Sequence, residues 1–95
     1  MIIHFLKTTP NHFNETLNGK DFEIRFNDRD FKINDFVVLQ EFKRIICPTH
    51  RIEQYTGREI VGKITAIYNI NDITEDQRFD NYVAFKLKII KKRNC

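Results

Sequence analysis

Strict alternation of apolar and polar positions recurs along this chain, and it predicts a sheet. From Tyr82 to Ile90, Val83, Phe85, Leu87 and Ile89 alternate with Ala84, Lys86 and Lys88, the two-residue period of a half-buried strand. From Arg58 to Tyr68, Ile60, Gly62, Ile64, Ala66 and Tyr68 fall on one face. Gly62 interrupts that face where a bulge or a close backbone approach is expected. Phe36-Val37-Val38-Leu39-Gln40-Glu41-Phe42 is almost continuously apolar at its start, which predicts a central strand. Ile2 to Leu6 predicts a first strand with His4 at its middle. In the stretch from Gly19 to Phe31, Phe22, Ile24 and Phe26 are expected to face the core, with Glu23, Arg25 and Asn27 on the opposite face.

The segments between these runs carry turn and helix signals. Thr9-Pro10 predicts the start of a two-turn helix: Thr9 can cap free N–H groups, and Pro10 suits the first helical position. Phe13 and Leu17 lie one turn apart and should dock on the sheet, and Asn18-Gly19 should end the helix. Asn27-Asp28-Arg29-Asp30 and Asn34-Asp35 read as turns, with Phe31 and Ile33 alternating back toward the core between them. Residues 43–57 read as irregular, because Pro48 excludes a central strand and Tyr55-Thr56-Gly57 resembles a turn. Asn69 to Asn81 is a polar, acidic loop with room for a helical turn, and the last few residues are expected to fray. The sum is one α+β domain over residues 1–95. Five to six mostly antiparallel strands form a curved sheet or partly closed barrel, and one short N-terminal helix plugs an open end.

Composition narrows the function classes. The chain has 95 residues, 31% of them charged, and no apolar run approaches the ~20 residues of a membrane helix. The N-terminal run lacks the basic leader and cleavage signal of a secretory peptide, so a cytoplasmic location is expected. Cys47 and Cys95 form no CxxC pair, and His4, His12 and His50 have no ligand spacing, so neither a metal nor any other cofactor is expected. A net charge of +3 permits attraction to phosphate. The basic residues concentrate at Lys86, Lys88, Lys91, Lys92 and Arg93, where there is no acid, whereas the stretch from Lys20 to Asp35 is charge-balanced.

Candidate chemistry concentrates in that balanced stretch. Glu23 and Arg25 are two apart on one strand face, ~6.6–7 Å along the chain, so their tips can meet. Arg25 can fork onto a phosphate or base edge while Glu23 orients it or accepts from an amino group; as a surface ion pair they need no ligand. Lys20 can contact phosphate, or serve as a base if desolvated. Arg29 lies in a turn, and Tyr55 and Arg58 flank another, where Tyr55 can stack on a base.

Taken together, Gly19-Lys20-Asp21-Phe22-Glu23-Ile24-Arg25-Phe26-Asn27-Asp28-Arg29-Asp30-Phe31, then Phe36 to Phe42, then Tyr55-Thr56-Gly57-Arg58 and the strand beyond, form a wider pattern. It resembles the small bacterial and phage proteins of the ASCH superfamily, in an uncharacterised subfamily, over nearly the whole chain. The resemblance implies a PUA-like β-barrel with a cleft for RNA or a nucleotide-like ligand, lined by Lys20, Glu23, Arg25, Arg29, Tyr55 and Arg58. Members usually read Gly-Lys-Lys-Thr before the Phe-Glu-Ile-Arg strand, whereas here Gly19-Lys20-Asp21 runs straight into Phe22. Related ASCH enzymes hydrolyse N4-acetylcytidine with a Lys, a Thr and a Glu, and their Thr position is occupied here by Glu23. A carboxylate does not replace a hydroxyl in acyl transfer. Binding is therefore favoured over catalysis. The alternatives are an amidohydrolase using Lys20 with a hydroxyl such as Thr56, and a protein-interaction module using a Phe-rich edge.

Overall fold

The structure, a computed structural model, describes residues 1–74 and 81–93. Five strands form a single mixed sheet: β1 (Ile3–Thr8), β2 (Phe22–Phe26), β3 (Phe36–Ile46), β4 (Arg51–Asn69) and β5 (Tyr82–Arg93). Their order across the sheet is β1-β3-β4-β5-β2. β1 runs parallel to β3, and the other three pairings are antiparallel. Helix α1 (Pro10–Leu17) follows β1, and a single turn, α2 (Ile70–Thr74), follows β4. Among the described residues no helix is long and apolar enough to cross a membrane. The 75–80 part of the expected acidic loop, Cys95 and the expected fraying after Arg93 lie outside the described residues.

β3 has a neighbour on both sides, and its near-continuous apolar start reflects that position. The inward residues of β5, Val83, Phe85 and Leu87, join Leu6, Val37, Leu39, Ile60 and Ile64 in one core. Phe13 of α1 is fully buried on it, a burial that stabilises by roughly 2–3 kcal/mol. The helix begins as expected at Pro10, but the Thr9 hydroxyl makes no cap bond. Its end is a Schellman closure: Lys20 N–H donates to the Glu15 carbonyl and Gly19 N–H to the Thr16 carbonyl, with Gly19 at φ 113°.

Several expectations change. The strands do not close into a hydrogen-bonded barrel, because no ladder joins β1 to β2. Segment 43–57 is mostly strand: β3 and β4 continue as a hairpin arm, and Pro48 sits in its connection, closed by Cys47 N–H to the His50 carbonyl. Thr56-Gly57-Arg58 is a bulge inside β4, since Gln40 pairs with Glu59 and Phe42 with Tyr55, leaving these three residues opposite Glu41. Gly57, at φ 90°, allows that insertion. Gly62 is both a register shift and a close approach, its Cβ position lying 3.3 Å from the Leu87 Cβ. A second shift between Ile64 and Ala66 reverses the face of β4, so Ile67 packs inward and Tyr68 is exposed.

A further change concerns β2, whose faces are inverted. Phe22, Ile24 and Phe26 are about half exposed, and Glu23 is buried. Register explains it: Glu23 pairs with Phe85 and Arg25 with Val83, both inward residues, and paired residues share a face.

The end of the sheet away from α1 is sealed by Phe31 and a buried His4–Asp35 pair. Phe31 is no strand residue; its N–H donates to the Asn27 side chain, and its ring lies 4.7 Å from His4 and 4.9 Å from Phe85. Ile33, expected to alternate back to the core, is exposed. One carboxylate oxygen of Asp35 accepts from the Ile2 N–H at 3.1 Å; the other accepts from His4 Nε2 at 2.8 Å and the Lys32 N–H at 3.1 Å. Burial alone raises the Asp35 pKa, but these donors and the His4 charge outweigh it and hold the carboxyl below its ordinary range.

Candidate functional site

The two edge strands come back toward each other, and side chains span the gap where a ladder would otherwise run. The Arg25 Nη2 donates to the Lys7 carbonyl at 3.0 Å, and the Arg29 Nη1 donates to the Phe5 carbonyl. These two bonds tie β2 and its following turn to β1, satisfying edge acceptors that a closed barrel would have paired. The sheet is therefore rolled and laced by arginine.

Beside this lacing, under the N-terminal part of α1, is a cleft of about 450 Å³. Its wall is the β1–α1 junction (Lys7, Thr8, Thr9, His12, Glu15) and its floor is Lys20 with Phe22 to Arg25. The floor centres on Glu23, whose side chain is 7% exposed. Arg25 Nε donates to one Glu23 oxygen at 3.3 Å, and Lys20 Nζ lies 3.9 Å from the other. That second oxygen, Oε1, is buried and accepts no hydrogen bond. Taking a carboxylate out of water costs several kcal/mol unless it is paired and fully bonded. Here two cations offset the charge, and one oxygen has an ion-pair neighbour but no hydrogen bond.

Of the sequence-predicted residues, Lys20, Glu23 and Arg25 meet in this cleft. Arg29 adjoins it: with Arg25 it lines a smaller depression, about 200 Å³, together with Leu6, Phe26, Asp28 and Phe31. Arg58 lies behind the cleft. Its Nε is 3.3 Å from buried Glu41, its Nη2 donates to Asn14 Oδ1 at 2.8 Å, and its guanidinium stacks over the Phe13 ring at 4.6 Å. Those contacts pin α1 to the sheet. Thr56 donates to the same Glu41 at 2.8 Å, so its hydroxyl is not presented to the cleft. Tyr55 stands apart on the hairpin arm, packed on Phe42 and donating its hydroxyl to Glu59. Its partial burial, then the Glu59 bond and charge, push that hydroxyl's pKa above the ordinary tyrosine value.

The lining residues that sequence reasoning did not assign to the site are Phe22 and Ile24, expected in the core, and Lys7, Thr8, Thr9, His12 and Glu15 of the β1–α1 junction. The signal for the latter is the strand-to-helix junction at Thr8-Thr9-Pro10: a helix that plugs a sheet opening places its leading loop at the rim.

The family model described as "Domain of unknown function (DUF3850)" matches residues 3–87. The chain belongs to this family. The match runs from β1 through the first half of β5, so the DUF3850 region contains the cleft and all its lining residues. Among curated proteins none matches the chain.

Proposed function

We propose that this DUF3850 domain binds a nucleotide, free or as one base of an RNA strand, in the cleft between β1 and β2. The observation that carries the proposal is the buried, unbonded Oε1 of Glu23. A buried acceptor of this kind recognises a group that brings N–H donors, and the exocyclic amino group of a nucleobase is the matching partner. Lys20 and Arg25 supply positive charge for the ligand's phosphate or carbonyl groups. Phe22, with Lys20 Nζ 5.6 Å above its ring, offers an apolar flank. The likeness of the Gly19–Phe31 stretch to ASCH proteins of the PUA-like group supports the same reading, and the rolled five-stranded sheet suits it. Arg29 extends the basic lining beyond Arg25, while Arg58 and Tyr55 enter the proposal only as supports of α1 and of the hairpin arm.

At the C4 position cytosine presents an amino donor to Glu23 where uracil presents a carbonyl acceptor, so cytidine monophosphate should bind more tightly than uridine monophosphate. Calorimetry at low salt checks this. Glu23→Gln brings a donor of its own to the contact and should remove the preference, while Lys20→Ala should weaken both ligands. Absence of binding at low salt, or equal affinity of the wild type for the two nucleotides, removes the proposal.

A further inference from the structure

A second surface, which adjoins the cleft at Phe22 and Ile24 and extends away from it across β5 and β4, has the chemistry of a stacking platform. The inverted phase of β2 turns Phe22, Ile24 and Phe26 outward, and register places Lys86, Ala84 and Tyr82 of β5 beside them on the same face. Tyr68 of β4 pairs with Ala84 and is also exposed. The rings of Phe26 and Tyr82 meet edge to face at 5.5 Å. Farther along the same face, Lys63 and Lys88 are direct cross-strand partners, a like-charge pairing that destabilises a sheet unless an anion is near. Among the described residues neither of them, nor Lys86, has an acidic partner. No acid occupies any position of β5, or of β4 from Val61 to Asn69, and the one acid of β2, Glu23, points inward.

We infer that this outer face of β2, β5 and β4 binds single-stranded nucleic acid, with bases stacked on Phe26 and Tyr68 and phosphates held by Lys63, Lys86 and Lys88. Charge decides the occupant. A hydrophobic partner chain explains the aromatic residues but not three unpaired lysines, two of them held face to face. A polyanion whose every base carries a π-face explains both. Phe26, Tyr68 and the three lysines lie outside the cleft lining, so the inference stands whether or not the cleft binds a nucleotide.

The test is fluorescence anisotropy with labelled 8-mers of uridine and of deoxythymidine, which lack the amino group that Glu23 would read. Both should bind with affinity that falls steeply with salt. The Lys63→Ala/Lys88→Ala double variant should lower the slope of log K against log salt by ~0.7 per lost phosphate contact. Phe26→Ala should weaken binding about tenfold, as should Tyr68→Ala, with unchanged circular dichroism because both side chains are exposed. Ile46→Ser, exposed on the hairpin arm, should bind as the wild type. Calorimetry with a mononucleotide reports the cleft independently, so failure of one site is distinguishable from failure of the other. Oligomer binding that ignores Phe26, Tyr68 and the lysines overturns the inference. So does self-association through this face, seen by sedimentation, with no oligomer binding.

Discussion

At the scale of single residues, Asp35 and Glu23, two of the three buried carboxylates among the described residues, are in different states of satisfaction. Asp35 accepts from two backbone amides and His4, so both its oxygens are bonded and its role is structural. Glu23 has one oxygen hydrogen-bonded and one buried without a hydrogen bond. The difference leads to different tests. The Asp35 pKa is lowered by folding, so its contribution to stability is full above its unfolded value, about pH 4, and is lost as pH falls through the folded value. Asp35→Asn should cost about 2 kcal/mol at pH 7 by setting an amide against backbone donors. The gap between wild type and variant should narrow below about pH 4. Urea unfolding from pH 7 to pH 3 measures both. For Glu23 the sequence conveyed the residue and its spacing from Arg25 but not its burial, because a carboxylate beside an arginine has the same pattern on a surface as in a floor.

At the scale of elements, periodicity located the strands but did not set which face is inside. On β5 the inward row was legible, since one face is apolar and the other is mostly lysine. On β2 the more apolar face turned out to be the outer one. A five-residue strand has too few positions for its own pattern to override its pairing with a longer neighbour, and Phe85 and Val83 dictate the register. The same limit hid the hairpin arm, where Ile45 pairs with Ile52 but both are exposed, so no core signal marks it. Helix α1 was legible because Pro10, Phe13 and Gly19 each point to one local geometry. The inversion of β2 has a direct consequence for stability. Ile24→Ser should change it by less than about 1 kcal/mol, whereas Phe85→Ala, opposite Glu23 on the inner face, should cost about 3–5 kcal/mol. Equilibrium denaturation of the two variants reads the parity of the strand.

At the scale of the whole molecule, the sheet is a roll held by side chains along one seam. A closed barrel would bury the seam backbone in ladders; here Arg25 and Arg29 do it with one bond each. The cleft exists because the seam is open, and the expected barrel and the expected cleft are in that sense alternatives. Arg29→Ala frees the Phe5 carbonyl and should raise amide exchange in β1 well above that in β3, with β4 and β5 unaffected; hydrogen exchange read by mass spectrometry is the check. Arg25 was read from sequence as a ligand contact, and the seam adds a second task, bracing the strand that carries Glu23.

The most direct test of the cleft is an amide-resolved NMR titration of the protein with cytidine monophosphate at low salt. The expected result is saturable shifts confined to Lys7–Glu15 and Lys20–Arg25, and their loss in Glu23→Gln. Shifts scattered over the surface, or none at millimolar nucleotide, would contradict it.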